Sequence, residues 1–302
     1  MTKNSLFKAS FEESLNLLDD APLQYSKKEY YEHLGKGLNN GIPSIGFRIK
    51  NILFSIFFVF GGNFLLAVFA NSLNNADPKD LTLPIYKPQL LTPEIFLIGS
   101  FIWLMLIIVG KIFREPFIRP YRHRFHILTY LIWLGIEFNL LGITVALPTL
   151  TLVGIAGIYF LLFVLALLFI RTERRSLKNR FFGEVSENTL VDRVVRYIAL
   201  YGSGVLGIAV ILKIILSNTG IVVSPHLTLL GSLLVWIGSD IALLAMIVFM
   251  EFPFFLEGYY KWKYPEEYRE WEGKSVEDWY GKRYLKKHKE LLKANNEKEI
   301  NL

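Results

Sequence analysis

Six long apolar blocks constrain this chain more than any other feature of its sequence. A helix that crosses the hydrocarbon core of a bilayer needs roughly 20 mainly apolar residues. Six stretches meet this requirement: Ile52–Ala70, Ile95–Phe113, Ile127–Leu147, Thr149–Ile170, Tyr197–Leu216 and Thr228–Met250. Only Pro148 separates the third block from the fourth, which predicts a tight helical hairpin. We therefore predict an all-α fold, a polytopic membrane protein whose transmembrane domain is a bundle of six helices.

The distribution of Lys and Arg predicts the orientation of this bundle. Of the 33 basic residues, 30 fall in tails and loops on one side of the predicted membrane, and only Lys79 and Lys87 fall on the other. Basic residues collect on the cytoplasmic side of membrane proteins. We expect a multi-pass protein of the cell membrane with both termini in the cytoplasm. Residues 1–50 would form an N-terminal tail, 51–251 the transmembrane domain and 252–302 a C-terminal tail. Topology explains the net charge of +6, so we expect no nucleic-acid partner.

Two acidic residues interrupt the apolar blocks near their centres. Glu137 lies about 15 Å into the third block and Asp240 about 18 Å into the sixth, at 1.5 Å per residue. An acid at that depth costs about 2.5–3.5 kcal/mol on insertion scales. Our functional interpretation is that the two acids face one another or share a wet cavity and bind a proton, a cation or a solute, with Asn139 and Asn63 as further polar lining. The alternative is that each acid only holds helices together, protonated or hydrogen-bonded between them.

The fifth block carries small residues at every fourth position. Ala199, Ser203 and Gly207 predict close packing against a neighbouring helix. The segment 202–207 also fits the G-x-G-x-x-G spacing, but a dinucleotide site needs a strand before it and a helix start after it, and an apolar span offers neither.

Catalytic and metal-binding patterns are missing from the sequence. The chain has no cysteine, and all five histidines fall outside the apolar blocks. We identify no catalytic set, metal site or cofactor site, which argues against an enzyme. A lipid-acting enzyme using the basic segments 111–126 and 171–197 stays an open alternative.

The C-terminal tail combines aromatic and basic residues. Pro265 before two glutamates predicts a helix start, and Ser275 predicts the cap of a second helix. We expect that second helix to present a surface to anionic lipid headgroups, or to a cytoplasmic or membrane protein partner. The residues of this predicted surface are Trp279, Lys282, Arg283, Lys286 and Lys287. The alternative is a solvated helix without a dedicated partner.

In the N-terminal tail, the spacing of apolar residues from Phe7 to Leu18 predicts one amphipathic helix.

These features favour movement of a small solute or ion across the bilayer, or service as the membrane subunit of a transport complex. The alternative function is a membrane interaction protein without transport activity, such as an immunity, assembly or regulatory factor, that acts through its cytoplasmic tail. The sequence identifies neither the solute nor the partner.

Overall fold

The computed structural model describes residues 5–19, 24, 28, 38–39, 42–113, 115–183, 189–201 and 224–290. This part of the chain is helical apart from its loops and one antiparallel pair of two-residue strands, β1 (Leu38–Asn39) and β2 (Ile42–Pro43). Its helices are α1 (Phe11–Leu15), α2 (Ile45–Asn75), α3 (Pro93–Gly110), α4 (Arg119–Phe182), α5 (residues 190–201), α6 (Pro225–Lys263), α7 (Pro265–Trp271), α8 (Val276–Tyr280) and α9 (Lys282–Leu285). Short 3₁₀ turns cover Asn16–Asp19 and Pro116–Ile118.

Four of the described helices, α2, α3, α4 and α6, are long and apolar enough to cross a membrane. Most of their residues are not buried, and large apolar side chains such as Phe57, Leu65 and Phe101 are exposed. Such faces are stable in lipid, where burying them against protein offers little advantage. The structure therefore supports the membrane class predicted from the sequence. Four of the six predicted blocks fall within these helices, and the second, Ile95–Phe113, extends three residues past the end of α3 at Gly110. Most of the fifth block, Tyr197–Leu216, lies outside the described residues.

Helix α4 folds back on itself at Thr151, whose φ is +61°. We call residues 119–150 the first arm and residues 152–182 the second arm. The Tyr159 hydroxyl lies 2.6 Å from Asn139 Oδ1, whereas residues 20 positions apart in a straight helix are about 30 Å apart. The hairpin is therefore present, but it turns at Thr151. Pro148, which we expected at the turn, lies inside the first arm.

The loop between α2 and α3 completes the hydrogen bonding of the first arm. Pro148 has no N–H, so it cannot donate to the carbonyl of Thr144 one turn earlier. The backbone N–H of Tyr86 donates to that carbonyl at 2.8 Å instead. The backbone N–H of Leu90 donates to the Thr144 hydroxyl at 3.3 Å, and the neighbouring Leu91 is fully buried. The loop is thus held against one end of the helices, which we call the loop end.

The first arm runs parallel to α2. Near one end of the contact, the Tyr130 hydroxyl donates to the carbonyl of Phe58 at 3.1 Å. Near the other end, Leu141 packs against Ala70. Residue numbers increase together along both helices, with an offset of about 72, so one register relates the two helices throughout.

The first arm runs antiparallel to α6. Asn139 on the arm bonds Asp240 on α6, and Arg124 on the arm forms an ion pair at 2.7 Å with Glu251, further along α6. Residue numbers therefore rise along the first arm in the direction in which they fall along α6. The first arm thus lies between α2 on one side and α6 on another.

Both tails pack together at the opposite end from the loop, which we call the tail end. The Tyr260 hydroxyl donates to the carbonyl of Leu6, and the Tyr268 and Ser14 hydroxyls lie 2.8 Å apart. Phe181, at the end of the second arm, contacts the Tyr260 ring. The largest cluster of buried apolar residues therefore joins the N-terminal segment, α6, α7 and the two arms.

The caps predicted for the C-terminal tail are confirmed. Helix α7 begins at Pro265, and the Ser275 hydroxyl accepts from the backbone N–H of Asp278 at 3.0 Å at the start of α8. Gly281 then adopts φ +81° and separates α8 from α9, where we expected one continuous helix. A positive φ suits glycine, which has no Cβ.

Candidate functional site

The first polar cluster joins Asp240 on α6 to the first arm. Asn139 Nδ2 donates to Asp240 Oδ1 at 2.6 Å and to the carbonyl of Gly135 at 2.8 Å. Asn139 Oδ1 accepts from the Tyr159 hydroxyl at 2.6 Å and from the Trp236 indole N–H at 2.9 Å. The amide of Asn139 therefore uses all four of its hydrogen-bonding positions and links both arms to α6.

These partners fix the orientation of the Asn139 amide. The Trp236 indole N–H can only donate, and the Gly135 carbonyl can only accept. Asn139 must therefore present an N–H to Asp240, and Asp240 Oδ1 must accept. The other oxygen, Asp240 Oδ2, is buried and has no hydrogen-bond partner among the described residues. It is the atom of this cluster that is open to a proton or a ligand.

The second polar cluster surrounds Glu137, which is fully buried on the first arm. The Trp133 indole N–H donates to Glu137 Oε1 at 2.7 Å. Glu137 Oε2 is buried, and no hydrogen bond reaches it from the part of the chain that the structure describes. Aromatic rings surround Trp133, with centroid distances of 6.1 Å to Phe60, 6.0 Å to Phe96 and 6.5 Å to Trp103. The carboxyl therefore lies beside an apolar wall.

Asn63 on α2 lies within one helical turn of Glu137 along the interface with the first arm. Val59 and Trp133 pack in one cluster between α2 and the first arm. Asn63 follows Val59 by four residues, as Glu137 follows Trp133, and the two helices are parallel, so both side chains lie one turn further along the same interface. Asn63 is fully buried, and its Nδ2 donates to the carbonyl of Val59 at 2.8 Å. Asn63 Oδ1 has no hydrogen-bond partner within the described ranges.

The structure separates the two acids that we expected to face one another. Glu137 and Asn139 are two residues apart on one helix, a rotation of about 200°. Asn139 bonds Asp240, so Glu137 projects from the opposite face of the first arm, where its partner Trp133 packs against α2 and α3. The two acids lie at a similar depth in the bundle, because Glu137 is only about 3 Å along the arm from Asn139, which bonds Asp240. Among the described residues the two acids belong to two polar clusters on opposite faces of the first arm, Asp240 with Asn139 and Glu137 with Trp133.

Glycines let the helices approach the two tryptophans of these clusters. A Cβ at Gly142 would lie 2.6 Å from the Trp236 ring, and one at Gly99 on α3 would clash with Trp133. Each glycine therefore makes room for an indole that donates to a cluster. The sequence patterns that we used did not identify these positions, because isolated glycines in apolar helices carry no periodicity.

The predicted small-residue face of the fifth block is described only at its first member. Ala199 packs against the buried cluster that contains Phe169 on the second arm. Ser203 and Gly207 lie outside the described residues.

Two π-helical turns interrupt the helices that flank the first arm. One covers Ser55–Phe60 in α2, and the other covers Ile247–Glu251 in α6. Glu251, at the end of the second turn, is buried and accepts from Arg124 Nε at 2.7 Å. π-turns inside α-helices are frequent at functional sites. Sequence periodicity did not predict them, because a single extra residue changes the apolar pattern little.

The C-terminal surface differs from the prediction at Trp279. Trp279 is only 3% exposed, because its ring stacks on Phe117 at 4.8 Å and faces the Lys261 ammonium at 5.7 Å. It therefore belongs to the core of the tail end and is not available to a lipid or partner. The tryptophans that are exposed are Trp262 and Trp271.

The predicted basic residues of this tail keep their exposure where they are described. Lys282 is 82% exposed and pairs with Glu277 at 3.1 Å, and Lys286 and Lys287 are exposed. The side chain of Arg283 lies outside the described residues.

A buried aspartate near the tail end caps α5 and was not predicted from the sequence. The Thr189 hydroxyl donates to Asp192 Oδ2 at 2.7 Å, and the Thr189 backbone N–H does so at 3.0 Å. Thr172 and Arg175 on the second arm also donate to Asp192, at 2.9 and 3.0 Å. These hydrogen bonds, that of the Thr189 hydroxyl most of all, lower the pKa of Asp192 to about 2. The Thr-x-x-Asp spacing was the signal available in the sequence.

Comparison of the chain with protein-family models, with curated proteins and with solved structures gives no match. The structure itself defines the class, a helical protein with four described helices that are long and apolar enough to cross a membrane. Within the described residues, no group of three or more His, Asp and Glu side chains could hold a metal ion.

Proposed function

We propose that this protein moves a small solute or ion across the bilayer, alone or as the membrane subunit of a transport complex. One observation carries the proposal. Glu137 and Asp240 are buried at one depth in the bundle, and each has a carboxyl oxygen that no hydrogen bond from the described residues reaches. We further propose that the protein resides in the cell membrane with both tails in the cytoplasm, as its basic residues favour.

The energetic argument favours a role for these open oxygens. An acid that served only to join helices would have both oxygens in hydrogen bonds, because an unpaired buried polar atom costs about 1–3 kcal/mol. Each cluster instead uses one oxygen for structure, through Trp133 or Asn139, and leaves the other open. Intramembrane acids that persist at such a cost mark ion or proton pathways.

Flux measurements on single variants test the proposal. Purified protein in liposomes that contain a pH-sensitive dye is assayed with candidate ions and solutes in the wild type, Glu137→Gln and Asp240→Asn. Glu94→Gln is the control, because Glu94 is an exposed acid at the first turn of α3. We expect flux in the wild type and the control and at least a tenfold loss in each midplane variant. Flux that neither midplane substitution changes would show that these acids have no transport role.

The second candidate function, an interaction protein, rests on the exposed basic residues after α8. The structure shows where to truncate, because residues up to Leu285 belong to the buried core of the tail end. Removing residues 286–302 leaves that core intact. An autonomous transporter keeps its flux after this deletion, whereas a protein that acts through its tail loses its activity while the folded bundle persists.

A further inference from the structure

Glu137 on the first arm and Asn63 on α2 each leave one buried acceptor oxygen without a hydrogen-bond partner among the described residues. The Trp133 indole can only donate, so Glu137 Oε1 accepts, and Glu137 Oε2 stays open. The Val59 carbonyl can only accept, so Asn63 directs its N–H to it and leaves Oδ1 open. Two buried oxygens on the side of the first arm that faces α2 and α3 thus lack a hydrogen-bond donor among the described residues. A single proton satisfies both.

We infer that Glu137 is a proton-binding site whose protonated carboxyl donates from Oε2 to Asn63 Oδ1. The inference rests on the proposed function and narrows it, because it names the proton as the charge carried at the α2 interface. Binding forms one O–H bond on Glu137 Oε2, and release returns the proton and leaves the carboxylate held by Trp133 alone.

A proton fits this site better than a metal cation. Hard cations such as Mg²⁺ and Ca²⁺ take about six or more oxygen ligands. Among the described residues the site offers two oxygens, and the rings of Phe60, Phe96 and Trp103 pack around the adjacent Trp133. A proton needs only one donor atom and one acceptor, which these two residues provide.

Within the described ranges, the charged and titratable groups on the elements that pack around Glu137 are distant along the chain or lie on the other face of the arm. Helix α2 carries charge only at Arg48 and Lys50, near its start, and α3 only at Glu94. On the first arm, the nearest titratable groups are Tyr130 and His126, seven and eleven residues earlier. Asp240 and Tyr159 belong to the cluster on the opposite face.

Infrared spectroscopy of the carboxylic acid C=O stretch tests the inference without any flux measurement. Asp240→Asn serves as the background, so that the second midplane acid contributes no signal. The difference spectrum between this background and Asp240→Asn/Glu137→Gln isolates Glu137. We expect an acid band at neutral pH that disappears reversibly as the pH is raised.

The hydrogen bond to Asn63 is tested by a further pair of variants in the same background. Asn63→Ala removes the acceptor, and Asn71→Ala is the control, because Asn71 is exposed on the same helix. Losing one hydrogen bond to the acid form lowers its proton affinity about tenfold, so the pH of half-amplitude falls by about one unit in Asn63→Ala only. This pair retains Glu137 and remains decisive if Glu137→Gln does not fold.

Three results would overturn the inference. The first is the absence of the acid band at every pH. The second is the same pH of half-amplitude in Asn63→Ala and Asn71→Ala. The third is an acid band that disappears when Na⁺ is added at constant pH. A titrating band in a protein without flux would reject transport and keep the proton site. Flux in a protein that shows no titrating band would keep transport and reject the proton site.

Discussion

Substitution of Gly142 by alanine tests whether close packing against Trp236 holds the Asp240 cluster together. A Cβ at this position lies 2.6 Å from Trp236 Cδ2 and 2.7 Å from its Cγ, so the indole must move. Overpacking of this kind costs about 1–3 kcal/mol of unfolding free energy. The Trp236 N–H donates to Asn139, which in turn donates to Asp240, so displacement of the indole also weakens the cluster.

Gly157→Ala is the matched control, because it lies on the same hairpin and a Cβ there meets no described atom within 4 Å. Alanine favours a helix over glycine by about 1 kcal/mol, and this gain is common to both variants. The difference between them therefore isolates the overpacking. Thermal unfolding in detergent should give Gly142→Ala a Tm lower than that of Gly157→Ala, by about 2–4 °C for each kcal/mol. Equal Tm values would refute the close packing of the first arm on α6.

Two further predictions concern the stability contribution of Asp192 and the orientation of the chain in the membrane. Because the pKa of Asp192 lies near 2, below its ordinary 3.8, its contribution to stability is complete above about pH 5 and is lost as the pH falls toward 2. The difference in Tm between the wild type and Asp192→Asn should therefore shrink between about pH 5 and pH 2, and a constant difference would contradict the assignment. The absence of cysteine allows a direct test of topology, because a single Lys282→Cys or Lys79→Cys provides one thiol per chain. A membrane-impermeant maleimide applied to intact cells should label only the Lys79→Cys variant. Labelling of Lys282→Cys would contradict the proposed orientation.

The sequence predicted the helical membrane class and the caps at Pro265 and Ser275, because these depend on local composition and spacing. It also selected the two acids and both asparagines as site residues, and their role in binding stays a prediction. The partnership of Glu137 with Asn63 depends on the register between α2 and the first arm, which no local pattern encodes. The burial of Trp279 was missed for the same reason, since it follows from contact with distant Phe117.

The opposite faces of Glu137 and Asp240 follow from a rotation that the sequence already contains. Because Asn139 and Glu137 differ by two helical positions, only one of them can face α6. The two clusters share no hydrogen bond among the described residues, yet both are built on the same turn of the first arm. Any rotation or sliding of this arm changes both at once: it moves Asn139 relative to Asp240 and Glu137 relative to Asn63. Communication between the two acids therefore requires no shared cavity, only movement of the helix that carries a polar residue on each face.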